Sequence, residues 1–339
     1  MMRNILLFIF FGAFCMGVFS SCNDEWTDEL YTKKVSFKAQ VGGEGVADIY
    51  LRYEKDGKVT YDLPVIVSGS QTHVDDIDVH ISVDEDTLAI LNNEKFKYRT
   101  DLYYKQLPDV FFNLPSDICH ISAGENVGLF PVVFDFSNLD LVEKWVLPLK
   151  IMESKNASYA PNYRNGWRIA LLHILPFNDY SGTYSATAMN IYIQGSDKES
   201  MVQDTRYARV VDENTVFFYA GMIDERAEDR ERYKIMMEFE APDSISADSS
   251  YFHGSLSVHA VDSAIDFTLL NTPTYEIAIE SDQTKPYLVH RYCTVSIDYQ
   301  YNDITSIPAL PITFRAEGSM TMERKINTLI PDRDQAIQW

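Results

Sequence analysis

The sequence predicts an all-β protein of two domains, an antiparallel β-sandwich followed by an antiparallel β-barrel. Three observations carry this. Apolar residues recur at every second position through most of the chain, the spacing that half-buries a strand. The strands so defined are short and closely spaced, with no helix-length period between them to support parallel crossovers. The pattern breaks at Pro176-Phe177-Asn178-Asp179 and restarts at Tyr180, because Pro ends a strand and Asn-Asp favours a turn.

In the first half, strands are expected at 35–39 and 46–53. Val59, Tyr61, Leu63, Val65 and Val67 then alternate with other residues. After the turn Ser68-Gly69-Ser70-Gln71, so do Ile77, Val79, Ile81 and Val83. Residues 86–92 predict a short helix with Asp86 as its cap. Further strands are expected at 118–121, 130–136, 145–151 and 167–175. About eight short strands at this density specify a β-sandwich of immunoglobulin-like type over residues 33–175.

In the second half, strands are expected at 183–193, 206–210, 215–222, 233–240, 251–261, 274–279, 289–301 and 312–322. Eight antiparallel strands in sequence close into a barrel, which removes both exposed edges. Such a barrel has room inside for side chains or one small ligand. Gly182-x-Tyr184 resembles the Gly-x-Trp of lipocalins, so residues 178–339 are expected to form a lipocalin- or calycin-like barrel; a second β-sandwich is the alternative. Residues 327–339, with Pro331 and several charges, read as a tail laid over the surface.

Composition narrows the function. The chain has 339 residues, 29 Lys+Arg against 50 Asp+Glu, and a net charge of −21. Phosphate-reading surfaces need clustered basic residues, so nucleic acid is excluded as a partner. With 46% hydrophobic and 13% aromatic residues there is material for packed cores, which excludes a disordered acidic chain.

Arg3, an apolar run over 5–19 and then Ser20-Ser21-Cys22 make the three parts of a secretory signal over residues 1–21. The run is too short to span a bilayer. Val18-Phe19-Ser20-Ser21-Cys22 resembles a bacterial lipobox, with Phe19 where Leu is usual. The resemblance implies acylation of Cys22, a tether over 22–32 and an outer-membrane anchor; the alternative is an ordinary cleaved signal. Asn23-Asp24-Glu25 resembles the surface-export signal of Bacteroidota lipoproteins, which implies exposure at the cell surface. Past the anchor only Cys119 and Cys293 remain, too few for a disulfide framework, and buried free thiols are expected over a bridge.

A wider resemblance covers nearly all of the chain after the leader. Tyr61-Asp62-Leu63-Pro64-Val65, Ser68-Gly69, the stretch from Asp76-Ile77 to Val83-Asp84, Ile121-Ser122-Ala123-Gly124 and Leu147-Pro148-Leu149 resemble the N-terminal immunoglobulin-like domain of uncharacterised Bacteroidota surface lipoproteins. Gly318-Ser319-Met320-Thr321-Met322-Glu323-Arg324-Lys325-Ile326-Asn327, with the closing run from Ile330 to Trp339, resembles the C-terminal domain that accompanies it. The resemblance implies association with polysaccharide-utilisation systems and a glycan-binding or accessory role beside an outer-membrane importer. It carries no catalytic residues over.

The residues themselves give no enzyme. There is no phosphate-cradling Gly-rich loop, no His-Glu-x-x-His and no Gly-x-Ser-x-Gly. Seven His, none at helical metal-ligand spacing, predict no metal site, and no cofactor is expected. Glu238 with Glu240, and Asp75, Asp76 and Asp78, read as solvated faces rather than paired catalytic acids. Aromatic rings in polar loops are the better lead, because a sugar presents an apolar C–H face to a ring and hydroxyls to polar neighbours. Tyr103 and Tyr104 in one loop, and Tyr159, Tyr163 and Trp167 in another, are the candidate ligand-binding residues, although Trp167 also opens an apolar strand and reads as core. The function expected is a non-catalytic, outer-membrane-anchored glycan-binding or accessory lipoprotein. The alternatives are a structural or adhesion subunit that binds proteins and, further off, a glycoside hydrolase.

Overall fold

The computed structural model describes residues 33–39, 41–69, 72–154, 158–196, 199–225, 227, 229–307 and 309–339. The leader, the lipobox and Cys22 lie outside the described residues. The first half contains β1 (Lys34–Phe37), β2 (Ala47–Arg52), β3 (Lys58–Ser68), β4 (Ile77–Val83), helix α1 (Thr87–Phe96), β5 (Lys105–Gln106), β6 (Phe112–Asn113), β7 (Ile118–Ile121), β8 (Val127–Asp135), β9 (Trp145–Ile151), β10 (Ala160–Pro161) and β11 (Ile169–Phe177). They form two facing sheets, β10-β1-β3-β8-β6 and β2-β11-β9-β4-β7, the latter with β5 beside β9. This is the expected sandwich. Leu63, Val65, Phe130, Val132 and Phe134 of one sheet and Val79, Leu147, Leu149 and Leu172 of the other have no exposed surface. Each contributes roughly 1.5–3 kcal/mol by leaving water.

Two details correct the expectation. The sandwich is not purely antiparallel: β1–β10, β5–β9 and β2–β11 run parallel, the last in register from Ala47↔Leu172 to Arg52↔Phe177. Partners so far apart in sequence have no hairpin to impose antiparallel pairing. Asp86 does not cap α1 with its side chain. Asp84, buried beneath the turn that leads into the helix, braces that turn by accepting from the Thr87 hydroxyl and, at 3.4 Å, from the Asp86 N–H.

The second half contains β12 (Gly182–Ile193), β13 (Met201–Val202), β14 (Thr205–Val210), β15 (Thr215–Tyr219), β16 (Lys234–Ile245), β17 (Tyr251–Ala260), β18 (Thr268–Leu269), β19 (Thr274–Ser281), β20 (Leu288–Ser296), β21 (Tyr299–Asp303), β22 (Ile312–Asn327) and β23 (Ile337–Gln338). Pairing runs β12-β14-β15-β16-β17-β19-β20-β22 and returns to β12, a closed eight-stranded antiparallel barrel. The second sandwich is therefore overturned. The strand expected over 289–301 breaks at Ile297-Asp298 into β20 and β21, which lie end to end along β22. At the break the Gly318 N–H donates to Asp298 Oδ1 (2.8 Å). On the other side of Gly318, the β12–β22 register shifts between Ser185 and Ala188.

The barrel interior is filled by side chains. Tyr184, Tyr233, Tyr275, Tyr299 and Tyr301 are fully buried there. Each hydroxyl has a partner, as burial requires: Tyr184 donates to Tyr180 O (2.7 Å), Tyr233 to Asp303 Oδ1 (3.1 Å) and Tyr275 to Glu240 O (2.7 Å). Tyr299 and Tyr301 accept from the Gly221 and Met222 N–H groups. The end beside residues 178–181 is closed by Arg324, which donates to Asn178 O (3.0 Å) and Ser181 O (2.7 Å). Burial, with help from the Arg291 cation, pushes the Arg324 guanidinium down to about 10.

The final segment is a fastener rather than a loose tail. β23 pairs with β22, and Trp339 stacks on Tyr50 of β2 at 4.0 Å, edge-on to Phe177. Beside it Arg52 bridges Asp179 (2.8 Å) and Asp334 (2.7 Å).

At the same barrel end His290 bridges Glu323 and Asp282 (Nε2 to Oδ2, 3.0 Å). Asp282 also accepts from the Thr284 and Lys285 N–H groups. These contacts raise the His290 pKa, Asp282 contributing most, and lower that of Asp282, His290 contributing most. A raised His pKa stabilises below the ordinary value of about 6.5 and is lost as pH rises through the folded value; a lowered Asp pKa stabilises above about 3.9 and is lost on acidification. The melting temperature of His290→Gln is therefore expected to fall furthest below the wild type near pH 5.5 and to approach it by pH 9, as thermal melts at the two pH values will read. An equal deficit at both would contradict the charge bridge.

Candidate functional site

A cleft of about 1000 Å³ lies where the barrel meets the sandwich. One wall is Thr100 to Tyr103 and Lys105 with Val142, Glu143 and Lys144 from the sandwich; the other is formed by residues of β12, β14 and β15 with residues 223–225 and Arg230 from the loop above. The alternation of β14 builds the barrel wall. Arg206, Ala208 and Val210 are its buried phase, whereas Tyr207 stands outward at 40% exposure.

Ion pairs span and brace the cleft. Glu143 of the sandwich holds Lys105 (2.9 Å) and, across the junction, Arg230 of the barrel (3.2 Å). Arg209 pairs with Glu225 (2.7 Å), donates to Leu141 O across the junction (3.4 Å), and lies over the Tyr207 ring (4.8 Å). Burial pushes the Tyr207 and Tyr219 phenols up. Arg206 differs from these cations. It is 6% exposed, its Nη1 donates to Tyr219 O (3.1 Å), and its Nε and Nη2 have no partner among the described residues. Gln203 Oε1, also on the cleft, is likewise unpartnered. A cleft with exposed phenol rings, amide and guanidinium groups can hold a polar ligand that also has apolar faces.

Of the residues singled out from the sequence, Tyr103 lines this cleft, its hydroxyl donating to Lys97 O. Tyr104 does not: it is buried, edge-on to His173, and its backbone exchanges two hydrogen bonds with the Asn92 amide. Tyr159 is buried too, donating to Met152 O and accepting from the His80 N–H. These two rings pack protein, which corrects their reading as ligand platforms. Tyr163 and Trp167 lie elsewhere on the sandwich surface, 60% and 43% exposed. Arg168 covers Tyr163 at 4.6 Å, Arg164 sits 5.8 Å from Trp167, and Tyr163 donates to Glu153. Trp167, which the sequence read as core, falls in the turn before β11 rather than within the strand.

Tyr207, Arg209 and Arg206 were not singled out from the sequence, because a strand's alternation hides its outward residues among solvated ones. One signal was present: Arg206 occupies an interior phase of β14, where a cation is costly. Glu238 and Glu240 face outward on β16 and are exposed. Cys119 and Cys293 are free and buried, and burial raises both thiols, Cys119 to about 11. Among the described residues no group of three or more His, Cys, Asp or Glu is placed to hold a metal ion, and no helix is long and apolar enough to cross a membrane.

Residues 26–155 match a family described as a domain of unknown function (DUF4973), and residues 168–321 match a second family, of C-terminal domains. None of the curated proteins searched matches the chain. Solved structures do. A multidomain protein including DUF1735 from Bacteroides ovatus is 40% identical, with TM-score 0.77, over 90% of this chain and 99% of that one. A Bacteroides ovatus protein of unknown function is 41% identical, with TM-score 0.79, over 90% and 100%. An auxiliary nutrient binding protein from Bacteroides thetaiotaomicron is 35% identical, with TM-score 0.74, over 91% and 100%. With both domains matched in one arrangement at this identity, the chain belongs to the family of two-domain, all-β Bacteroides proteins that these structures represent.

Proposed function

We propose that the protein is a non-catalytic glycan-binding lipoprotein, anchored in the outer membrane through Cys22, exposed at the cell surface, and accessory to a polysaccharide importer. The observation that carries the binding role is the junction cleft, where Tyr103 and the outward Tyr207 offer rings beside amide and guanidinium donors. Its relative described as an auxiliary nutrient binding protein supports the same reading. Among the cleft acids, Glu143 is committed to Lys105 and Arg230 and Glu225 to Arg209, cations that brace the walls. They serve the scaffold in this reading, not general acid–base chemistry.

Affinity gels cast with a panel of plant and host polysaccharides test the binding role. At least one polysaccharide is expected to retard the purified protein, and Tyr207→Ala to weaken that retardation about tenfold, the scale of one lost stacking contact. Unretarded migration throughout the panel would overturn the reading. Incorporation of labelled palmitate into the wild type but not into Cys22→Ser tests the anchor.

A further inference from the structure

We propose that Trp339 is a positioning residue for the cleft: stacked on Tyr50, it fixes the angle between sandwich and barrel and so holds the Tyr207 ring where the glycan meets it. The inference rests on the glycan-binding reading and adds what sets the shape of that site. The cleft takes one wall from each domain, so its width follows the angle between them. Domains joined by a short connection move relative to one another unless something locks them, and here the connection is residues 178–181. At the cleft itself the junction is crossed by the Glu143–Arg230 pair (3.2 Å) and by the Arg209 bond to Leu141 O (3.4 Å). A partly exposed ion pair and a long hydrogen bond are weak ties.

The strap 331–339 supplies the lock, because it is attached to both domains. On the barrel, β23 pairs Ile337 with Ile326 and Gln338 with Lys325 of β22, and the Asn327 N–H donates to Ala336 O (2.8 Å). On the sandwich, the Trp339 ring lies parallel to Tyr50 at 4.0 Å, with 3° between the planes, and edge-on to Phe177 at 4.7 Å. Arg52 of the sandwich adds a second fastening through Asp334 (2.7 Å). A stacked indole, which takes a broad apolar face from water, holds more firmly than the ties at the cleft. The same seat leads to the ring that meets the glycan. Tyr50 stands beside Leu175 of β11 in the parallel pair, and β11 packs against β14, the strand that carries Tyr207. Burial pushes the Tyr50 phenol up, and the charges of Asp48 and Tyr207 push it further, so the two phenols lie within electrostatic reach. Tyr207 therefore has Arg209 over its ring (4.8 Å) and the Tyr50–Trp339 stack across the junction. A ring and a wall fixed before the sugar arrives bind it without the cost of being ordered.

Two measurements on the purified protein test this: affinity gels cast with graded starch, xylan, galactan or mannan for the dissociation constant, and small-angle X-ray scattering of the unliganded protein for the spread of domain angles. Trp339→Ala is expected to weaken binding about tenfold and to broaden the distribution of interatomic distances. Trp339→Phe, which keeps a ring to stack on Tyr50, is expected to restore most of both. The double variant Trp339→Ala/Tyr207→Ala is expected to lose less than the sum of the two single losses, because one residue acts through the other. Wild-type affinity and wild-type scattering in Trp339→Ala would overturn the proposal. So would additive losses with unchanged scattering, which would put the indole in contact with the sugar itself. If no polysaccharide binds the wild type, the glycan-binding reading falls separately; identical scattering of wild type and Trp339→Ala then removes the lock as well, and broader scattering keeps it.

Discussion

Gly318→Ala is expected to lower the melting temperature of the barrel by about 10 °C. Gly318 has φ +126°, a conformation that residues with a Cβ rarely adopt. A Cβ there would also sit 2.2 Å from Ala188 O. That oxygen is backbone of the neighbouring strand, at the bulge where β12 and β22 change register, and it has no rotamer by which to withdraw. The strands must part at the seam that closes the barrel. Strain and overpacking together cost roughly 3–4 kcal/mol, which for a domain of this size is about 10 °C. Gly124→Ala supplies the control: φ is +87° there, but nothing lies within 4 Å, so only the conformational part, about 1 kcal/mol, is lost. Calorimetric melts of both variants separate the two contributions, and equal small losses would show that the seam tolerates a side chain.

Arg324→Met is expected to be nearly as damaging, by roughly 3–5 kcal/mol. The substitution fills most of the space but strands two buried carbonyls, Asn178 O and Ser181 O, that now receive Nη1 and Nη2. It also removes the cation lying 5.2 Å from the Trp339 ring and 5.7 Å from that of Phe177. The turn at 178–181 leads from the sandwich into the barrel, so both its closure and the seat of Trp339 loosen together. A lower melting temperature accompanied by a red-shifted tryptophan emission is the expected result; a lower melting temperature with unchanged emission would confine Arg324 to the barrel floor.

The strands were legible because their chemistry is local. Leu63, Val65, Ile77 and Val79 announce a buried face by spacing alone, and the structure buries them. Features that depend on distant partners were not. Nothing within residues 47–52 says that they pair in parallel with 172–177. The break at Ile297-Asp298 arises because Asp298 reaches across to Gly318, a contact no local window contains. The candidate site suffered most, since it is assembled from two domains. A polar loop rich in aromatics flags Tyr103 and Tyr104 alike, yet one lines the cleft and the other fills the core. Conversely Tyr207 gains its setting only when the sandwich arrives beside β14.

The pairing of β2 with β11 also governs where the polypeptide can be cut. β2 is an edge strand whose sheet neighbour is β11, and the His173–Asp48 bridge within that pair joins residues 125 apart. The domain-family match stops at residue 155, before β11 begins. A fragment excised at that boundary would strand β2 with its backbone groups unpaired and uncover the side of β9 that β11 occupies. On the ribosome the same dependence makes the sandwich wait for residue 177 to emerge, so the amino-terminal module is completed only as the strand leading into the barrel is synthesised.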